Sequence, residues 1–245
     1  MRIEYQPKND LEIFGQKVLN TLADKFPKTY FVGGLVRDML LGREIQDVDI
    51  ATSATPEQIA ETLGGEFEID SRDKNFAVVR AGSTGLAAAA DKWIQITTFR
   101  TETYVGSRYP KVSFTASPGA DSRRRDFTIN SLYMDWRGEI LDFQNGLADL
   151  KSKTIKFIGD PETRLVEDLV RLARAIRFAL QLNFLLDAAT AQAVQKNFSL
   201  VETIKPKHMA EEIKKLAPEM QKKFQIIINS RVLDVSLVNS YNDGV

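Results

Sequence analysis

Asp47 and Asp49 flank Val48 in the run Asp47-Val48-Asp49-Ile50-Ala51-Thr52. On an extended chain alternate residues share a face, so both carboxylates project to one side while Val48 and Ile50 point to the other. Two neighbouring carboxylates repel each other unless a cation lies between them. Taken alone, such a pair equally describes a solvated strand end or turn. Its context narrows the reading, because Tyr30-Phe31-Val32, the pair Gly33-Gly34 and a short helical segment precede it. Paired glycines let backbone N–H groups approach a triphosphate closely. Carboxylates combined with substrate phosphates are the usual means of holding magnesium, and two such ions activate an attacking hydroxyl while stabilising the leaving oxygen. The chemistry these residues point to is nucleotidyl transfer.

Several elements must position them. Leu11, Phe14, Val18, Leu19 and Leu22 recur at helical spacing and predict a helix over 10–26, ended by Pro27. A strand over 30–32, the glycine turn and a helix ending near Gly42 follow. Strand-like runs lie at 47–51, 66–69, 76–81, 93–100 and 112–116, with a helix after Thr55-Pro56 that carries proline in its first turn. From about Asp121 the pattern turns helical, interrupted by a hairpin around Arg137-Gly138 and a strand near 154–158. Beyond Asp160-Pro161 everything to about Leu216 reads as helix, and the small residues of 82–91 read as a mobile loop. The sequence therefore predicts an α+β protein, with a mixed-sheet catalytic head over 1–157 and an all-helical region over 158–245.

Composition limits the chemistry further. With no cysteine and one histidine, His208, thiolate and imidazole metal centres are excluded, and any metal must be held by oxygen, which points to magnesium or manganese. His208 sits alone on a lysine-rich stretch and reads as a surface residue. Thirty-three basic residues balance 33 acidic ones, so nucleic-acid contact must use local patches. No run approaches the roughly 18 apolar residues of a membrane span, and the first ten residues lack the order of a signal peptide, so a cytoplasmic location follows by elimination.

The segment FVGGLVRDMLLGREIQDVDIAT resembles the first motif of the class II tRNA nucleotidyltransferase and bacterial poly(A) polymerase family. ITTFRTE (96–102), SRYPKVSF (107–114), RRDFTINSL (124–132) and DPETRLVEDLVRLARAIRFALQL (160–182) resemble further family motifs in the same order, over about residues 28–184. The resemblance implies a five-stranded, polymerase-β-like head followed by a helical neck. It also implies that Asp47 and Asp49 hold two divalent ions, magnesium or alternatively manganese. Gly33, Gly34 and Arg37 would lie against the triphosphate of an incoming CTP or ATP, and Arg125, Asp126 and Asn130 would meet its ribose and phosphates. On a helical reading Asp126 and Asn130 share a face. The implied acceptor is the 3′ end of a tRNA.

The last of these motifs contains a helical segment over 164–180. On a 100° wheel, Arg164, Glu167, Asp168, Arg171 and Arg174 share one side, and Leu165, Leu169, Leu172, Ile176 and Leu180 the other. An exposed face of ion pairs would look the same. The spacing EDLVR resembles the family's nucleotide-selecting EDxxR motif, at Glu167, Asp168 and Arg171. Ionised Asp168 only accepts hydrogen bonds and Arg171 only donates them, so together they complement an amino group beside an unprotonated ring nitrogen. Cytosine and adenine present that edge; uracil and guanine present its reverse. Glu167 is expected to orient Arg171. Arg174 and Arg177 are candidates for phosphate contact, and helix packing would explain Arg177 equally well.

Departures from the family pattern qualify this picture. Gln95 stands where a glutamate usually precedes the TTFR strand, which keeps an oxygen ligand but loses a charge. Gly106-Ser107 replaces a common aspartate-glycine pair before Arg108, and KPKHMAEEIKKL replaces a serine-lysine-glutamate-arginine opening of a helix. Residues 228–233 resemble only the beginning of the family's body region, and the sequence stops at Val245. A piece of a longer enzyme, a minimal enzyme, or a fragment completed by a partner chain or oligomer all remain open. The lysines at 205, 207, 214, 215, 222 and 223, interleaved with Glu211, Glu212 and Glu219, read as a solvated helix face rather than a phosphate patch. Addition of CCA, of its CC or A part, or of poly(A) remain alternatives, as does a non-catalytic RNA-binding relic.

Overall fold

The computed structural model describes residues 1–82, 93–106 and 108–230. They form two compact units. The first comprises Met1–Val105, Tyr109–Arg125 and Asn130–Gly146; the second comprises Gly106–Arg108, Asp126–Ile129 and Leu147 onward.

In the first unit, α1 (Asp10–Lys25) precedes β1 (Thr29–Val32), α2 (Gly34–Leu40), β2 (Asp49–Thr52) and α3 (Pro56–Leu63). Then come β3 (Glu68–Asp70), β4 (Val78–Gly82), β5 (Ile94–Thr98), β6 (Arg100–Thr103), β7 (Lys111–Phe114), α4 (Pro118–Ser122), β8 (Leu132–Met134) and β9 (Ile140–Asp142). Asn9 caps α1 by accepting from the Glu12 N–H, and Thr55 and Gln58 form a reciprocal capping box at α3. The main sheet runs β3-β4-β5-β2-β1-β8-β9, with β2 and β5 parallel and the other pairs antiparallel.

Among the described residues the main sheet has seven strands where the resemblance implies five. The two outermost, β3 and β9, are three-residue additions that leave a five-stranded centre. The single strand expected over 93–100 is broken at Phe99, which is fully buried in a cluster with Val32, Ala51 and Tyr133. Past that anchor, β6 leaves the main sheet and, among the described residues, pairs with β7 alone. Gly15 of α1 is a point of close approach, since a Cβ there would meet Val48 Cγ1 at 2.7 Å. The helix therefore packs directly beneath the chain that delivers the aspartates. Residues 83–91 of the expected loop lie outside the described residues; Gly82 itself ends β4.

The second unit contains α5 (Gly146–Lys151, beginning at the last residue of the first unit), β10 (Thr154–Ile155), α6 (Pro161–Glu167), α7 (Val170–Leu182), β11 (Leu185–Leu186), α8 (Ala188–Lys196), α9 (Pro206–Ile213) and α10 (Pro218–Asn229). Its core includes a ring cluster in which Phe127 stacks on Phe157 at 4.9 Å and meets Phe178 edge-on at 5.5 Å. The helix expected over 164–180 is two helices. Asp168 adopts an extended backbone (φ −152°, ψ 105°) and its carboxylate accepts from the Val170 N–H at 3.2 Å. That local bond offers the backbone an alternative to the helical ladder, and the helix breaks there. Nor is 126–130 a helix, since only a 3-10 turn forms at Thr128–Asn130. Residues 231–233 of the expected body-like segment lie outside the described residues.

Candidate active site

The antiparallel pairing of β1 with β2 sets Val32 opposite Asp49. The turn that follows β1 is thereby placed beside Asp49, which opens β2. Gly33 has φ +70° and ψ −129°, a conformation L side chains rarely adopt, so glycine is required at this turn. The position of a Cβ on Gly33 lies 3.9 Å from Asp49 Oδ2, 3.9 Å from the Asn130 carbonyl oxygen and 3.8 Å from Arg125 Nη1. Asp47, just before β2, is exposed, Asp49 is half-buried and Val48 between them is buried, which is the alternation the sequence predicts.

The parallel pairing of β2 with β5 sets exposed Gln95 opposite Asp49. Among the described residues no cluster of three or more acidic, histidine or cysteine side chains forms an ion-holding cage. Two carboxylates and a neutral amide are hard oxygen donors, and they fit a divalent ion whose remaining ligands come from phosphate and water.

Two expected triphosphate contacts are differently occupied. Arg37 is buried, donating from Nε and Nη2 to Asp38 at 2.9 and 2.7 Å and from Nη1 to Asn130 Oδ1 at 2.6 Å. Asn130 is in turn oriented by Arg37, and it does not share a helical face with Asp126, which belongs to the other unit. Gly34 opens α2, where a Cβ would lie 3.5 Å from Arg37 Nη2. Arg125 donates from Nε to the Tyr133 hydroxyl at 2.9 Å and from Nη2 to Asp121 at 3.3 Å.

In the second unit the break between α6 and α7 brings out the EDLVR side chains. Arg171 is 6% exposed and donates from Nη1 to Glu167 Oε2 at 2.6 Å and to the Arg164 carbonyl at 2.8 Å. Glu167 also accepts from Arg164. An exposed ion-pair face is therefore excluded as the explanation of the wheel, since Arg164 and Arg171 are buried and Arg174 is half-buried. Asp168 Oδ2 accepts from Arg108 Nη2 at 3.3 Å.

Arg174 pairs with Asp126, from Nε at 2.8 Å, and with Glu212 at 3.4 Å. Arg177 pairs with Glu212 at 2.5 Å and Gln181, and lies 3.8 Å over the Phe178 ring. Helix packing thus accounts for Arg177. Glu212 is buried by these partners, so it is no part of a solvated lysine face. Burial pushes its carboxyl up, but Arg174, Arg177 and Lys215 outweigh that and hold it below the usual carboxylate range. His208 is half-buried on α9, 3.2 Å from Glu211.

Asp121, Tyr133, Asp38 and Arg108 were not singled out as site residues by the sequence. Asp121 had a signal in its place just ahead of Arg123-Arg124-Arg125, and Arg108 in its motif; Tyr133 reads only as an apolar strand residue.

A family profile described as the poly A polymerase head domain matches residues 29–156. The chain belongs to this family. Nucleotidyltransferases of the family use divalent metal ions. A CCA-adding enzyme of Lactobacillus helveticus is 40% identical over 227 residues, covering 91% of this chain and 55% of that protein. The crystal structure of the Bacillus stearothermophilus CCA-adding enzyme in complex with CTP matches with a TM-score of 0.76 at 30% identity, over 96% of this chain and 57% of that one. A tRNA nucleotidyltransferase complexed with a primer tRNA and an incoming ATP analog matches at 28% identity and a TM-score of 0.67, over 85% of this chain and 61% of that one. The chain thus spans about half the length of the curated relatives it matches. No helix among the described residues is long and apolar enough to cross a membrane.

Proposed function

We propose that this chain carries the nucleotidyl-transfer and nucleotide-selecting parts of an enzyme that adds C, A or both to the 3′ end of tRNA without a template. Residues 1–157 would form the transferring head and 158–245 the selecting helical region. The observation that carries the reading is the pairing of two features in one family member. Asp49 stands at the glycine turn with Asp47 two residues before it, and Asp168 and Arg171 stand at a helix break with an acceptor–donor pattern suited to cytosine and adenine.

The acceptor's 3′ oxygen attacks the α-phosphorus of CTP or ATP and loses its proton to solvent. The bond from that phosphorus to the bridging oxygen breaks, and pyrophosphate leaves with the electron pair. Asp47 and Asp49 would hold two divalent ions, for which we propose magnesium with manganese as a substitute, and these supply hydroxyl activation and charge neutralisation at the leaving group. The Gly33-Gly34 turn admits the phosphates, with Arg125 beside it. Arg37 acts by fixing Asn130. Glu167 holds Arg171, and Asp126 and Glu212 hold Arg174. Asp168 accepts from the exocyclic amino group, while Arg171 donates to the ring nitrogen.

Magnesium-dependent incorporation of labelled CTP and ATP into a tRNA ending before CCA, supplied one nucleotide at a time, tests the reading. Incorporation undiminished by Asp49→Ala would contradict the ligand role. A long tract of A alone would instead assign poly(A) synthesis.

A further inference from the structure

A lone arginine on the surface samples many rotamers and binds phosphate at the cost of ordering itself. Arg125 is differently placed. Beneath it lies Asp121, 0% exposed, whose Oδ2 accepts from the Tyr133 hydroxyl at 2.6 Å and from Arg125 Nη2 at 3.3 Å. The Tyr133 oxygen in turn accepts from Arg125 Nε at 2.9 Å, which closes a ring of three hydrogen bonds. Asp121 Oδ1 is tied down by Arg124 Nε at 2.8 Å and the Arg100 N–H at 3.0 Å. The Arg125 guanidinium also lies over the Tyr133 ring, 5.0 Å from its centre. Tyr133 is fully buried against Val32, Ala51 and Phe99, so the ring is fixed to the sheet that carries Asp49. With Nε and Nη2 held from behind, Nη1 is the nitrogen on the side of Gly33.

We propose that Asp121 and Tyr133 are positioning residues that fix the Arg125 guanidinium at the glycine turn for the phosphates of the incoming nucleoside triphosphate. The inference rests on the proposed function, in which Arg125 faces those phosphates. The protonation states suit the task. Burial pushes the Asp121 carboxyl up, but Arg125, Arg124 and the Tyr133 hydroxyl more than reverse it, so it remains a carboxylate. Burial, reinforced by Asp121 against the pull of Arg125, raises Tyr133, which stays a neutral phenol able to accept from one partner and donate to the other. Neither residue touches the nucleotide; both act through Arg125.

The test compares CTP with CMP, measured by calorimetry in magnesium on the full chain. Tyr133→Phe keeps the ring in its core and removes only the hydroxyl. It is expected to weaken CTP binding about ten-fold, the scale of one lost hydrogen bond to a charged group. CMP, which lacks the β- and γ-phosphates, should change less than about two-fold, so the CTP-to-CMP preference contracts. Asp121→Asn should contract it in the same way. Equal losses for CTP and CMP, or no loss in Tyr133→Phe, would overturn the positioning role. Arg125→Ala separates the two layers of argument. If it contracts the preference while Tyr133→Phe and Asp121→Asn do not, the positioning inference alone fails. If Arg125→Ala leaves the preference unchanged, the triphosphate reading of Arg125 fails and the inference with it.

Discussion

The two units handle charge in opposite ways. At the head, Asp47 is exposed and Asp49 half-buried, with a neutral Gln95 on the adjoining strand and the Arg125 guanidinium near enough to attract Asp49. In the helical unit, the side chains proposed to choose the nucleotide are satisfied internally: Arg171 by Glu167 and the Arg164 carbonyl, Asp168 by Arg108 and Val170. A site proposed to recruit ions keeps carboxylates that solvent can reach. A site that must discriminate needs donors and acceptors that do not re-aim to suit the wrong base. The head gains rigidity only one layer down, where Asp121 and Tyr133 hold Arg125.

Substitutions at each region should separate these behaviours. The largest expected effect is at the head, where Asp49→Ala removes half the ion-holding charge. Single-turnover incorporation should fall by on the order of a thousand-fold, with base preference unchanged, in keeping with the several kcal/mol such ions contribute. Arg171→Ala should do the reverse in a four-nucleotide competition assay. Discrimination against UTP and GTP should shrink by roughly ten- to a hundred-fold, the scale of one bidentate base contact, while the dependence on magnesium concentration stays put. A preference for C and A that survives this change would remove the selecting role. Gln95→Glu offers a gain rather than a loss. A third carboxylate opposite Asp49 should tighten manganese binding by about ten-fold in a spin-resonance titration, and unchanged affinity would show that Gln95 lies outside the ion site.

A smaller effect is expected from pH. Asp121, Glu102 and Glu212 all have carboxyls held below their ordinary values despite burial, by the guanidiniums around them. Because the folded-state values lie below those of the unfolded chain, the stability these groups add is complete above the ordinary carboxylate range near pH 4 and is lost as pH falls below it. Thermal melts between about pH 6 and 3 should show that fall. Glu212→Gln should flatten it in part, and a melt insensitive to pH would contradict the assigned charge states.

The sequence exposed the parts whose chemistry repeats at short range. Period-two alternation placed Asp47 and Asp49 on one face, the glycine pair marked the turn, and the EDLVR spacing located Asp168 and Arg171. What stayed hidden depended on distant partners. Asp121 and Tyr133 are joined by the fold, and so are Arg37 and Asn130, at separations no periodicity measures. The wheel over 164–180 gave the polar side its members but not its environment. Arg164 and Arg171 are buried with Glu167 beside them, Arg174 is half-buried against Asp126 and Glu212, and the helix breaks at Asp168, whose carboxylate accepts from the Val170 N–H. The phenylalanine at 99 likewise ended one strand and began another because its ring is held in the core, which an alternating pattern does not show.

The most direct test of the central claim is to sequence what the chain adds. A tRNA ending before its terminal CCA would be incubated with magnesium and an equal mixture of all four nucleoside triphosphates, and the extended 3′ ends read individually. The account predicts that only C and A residues are added and that Asp49→Ala slows their addition by on the order of a thousand-fold. Absence of any extension, or U and G entering as readily as C and A, would contradict it.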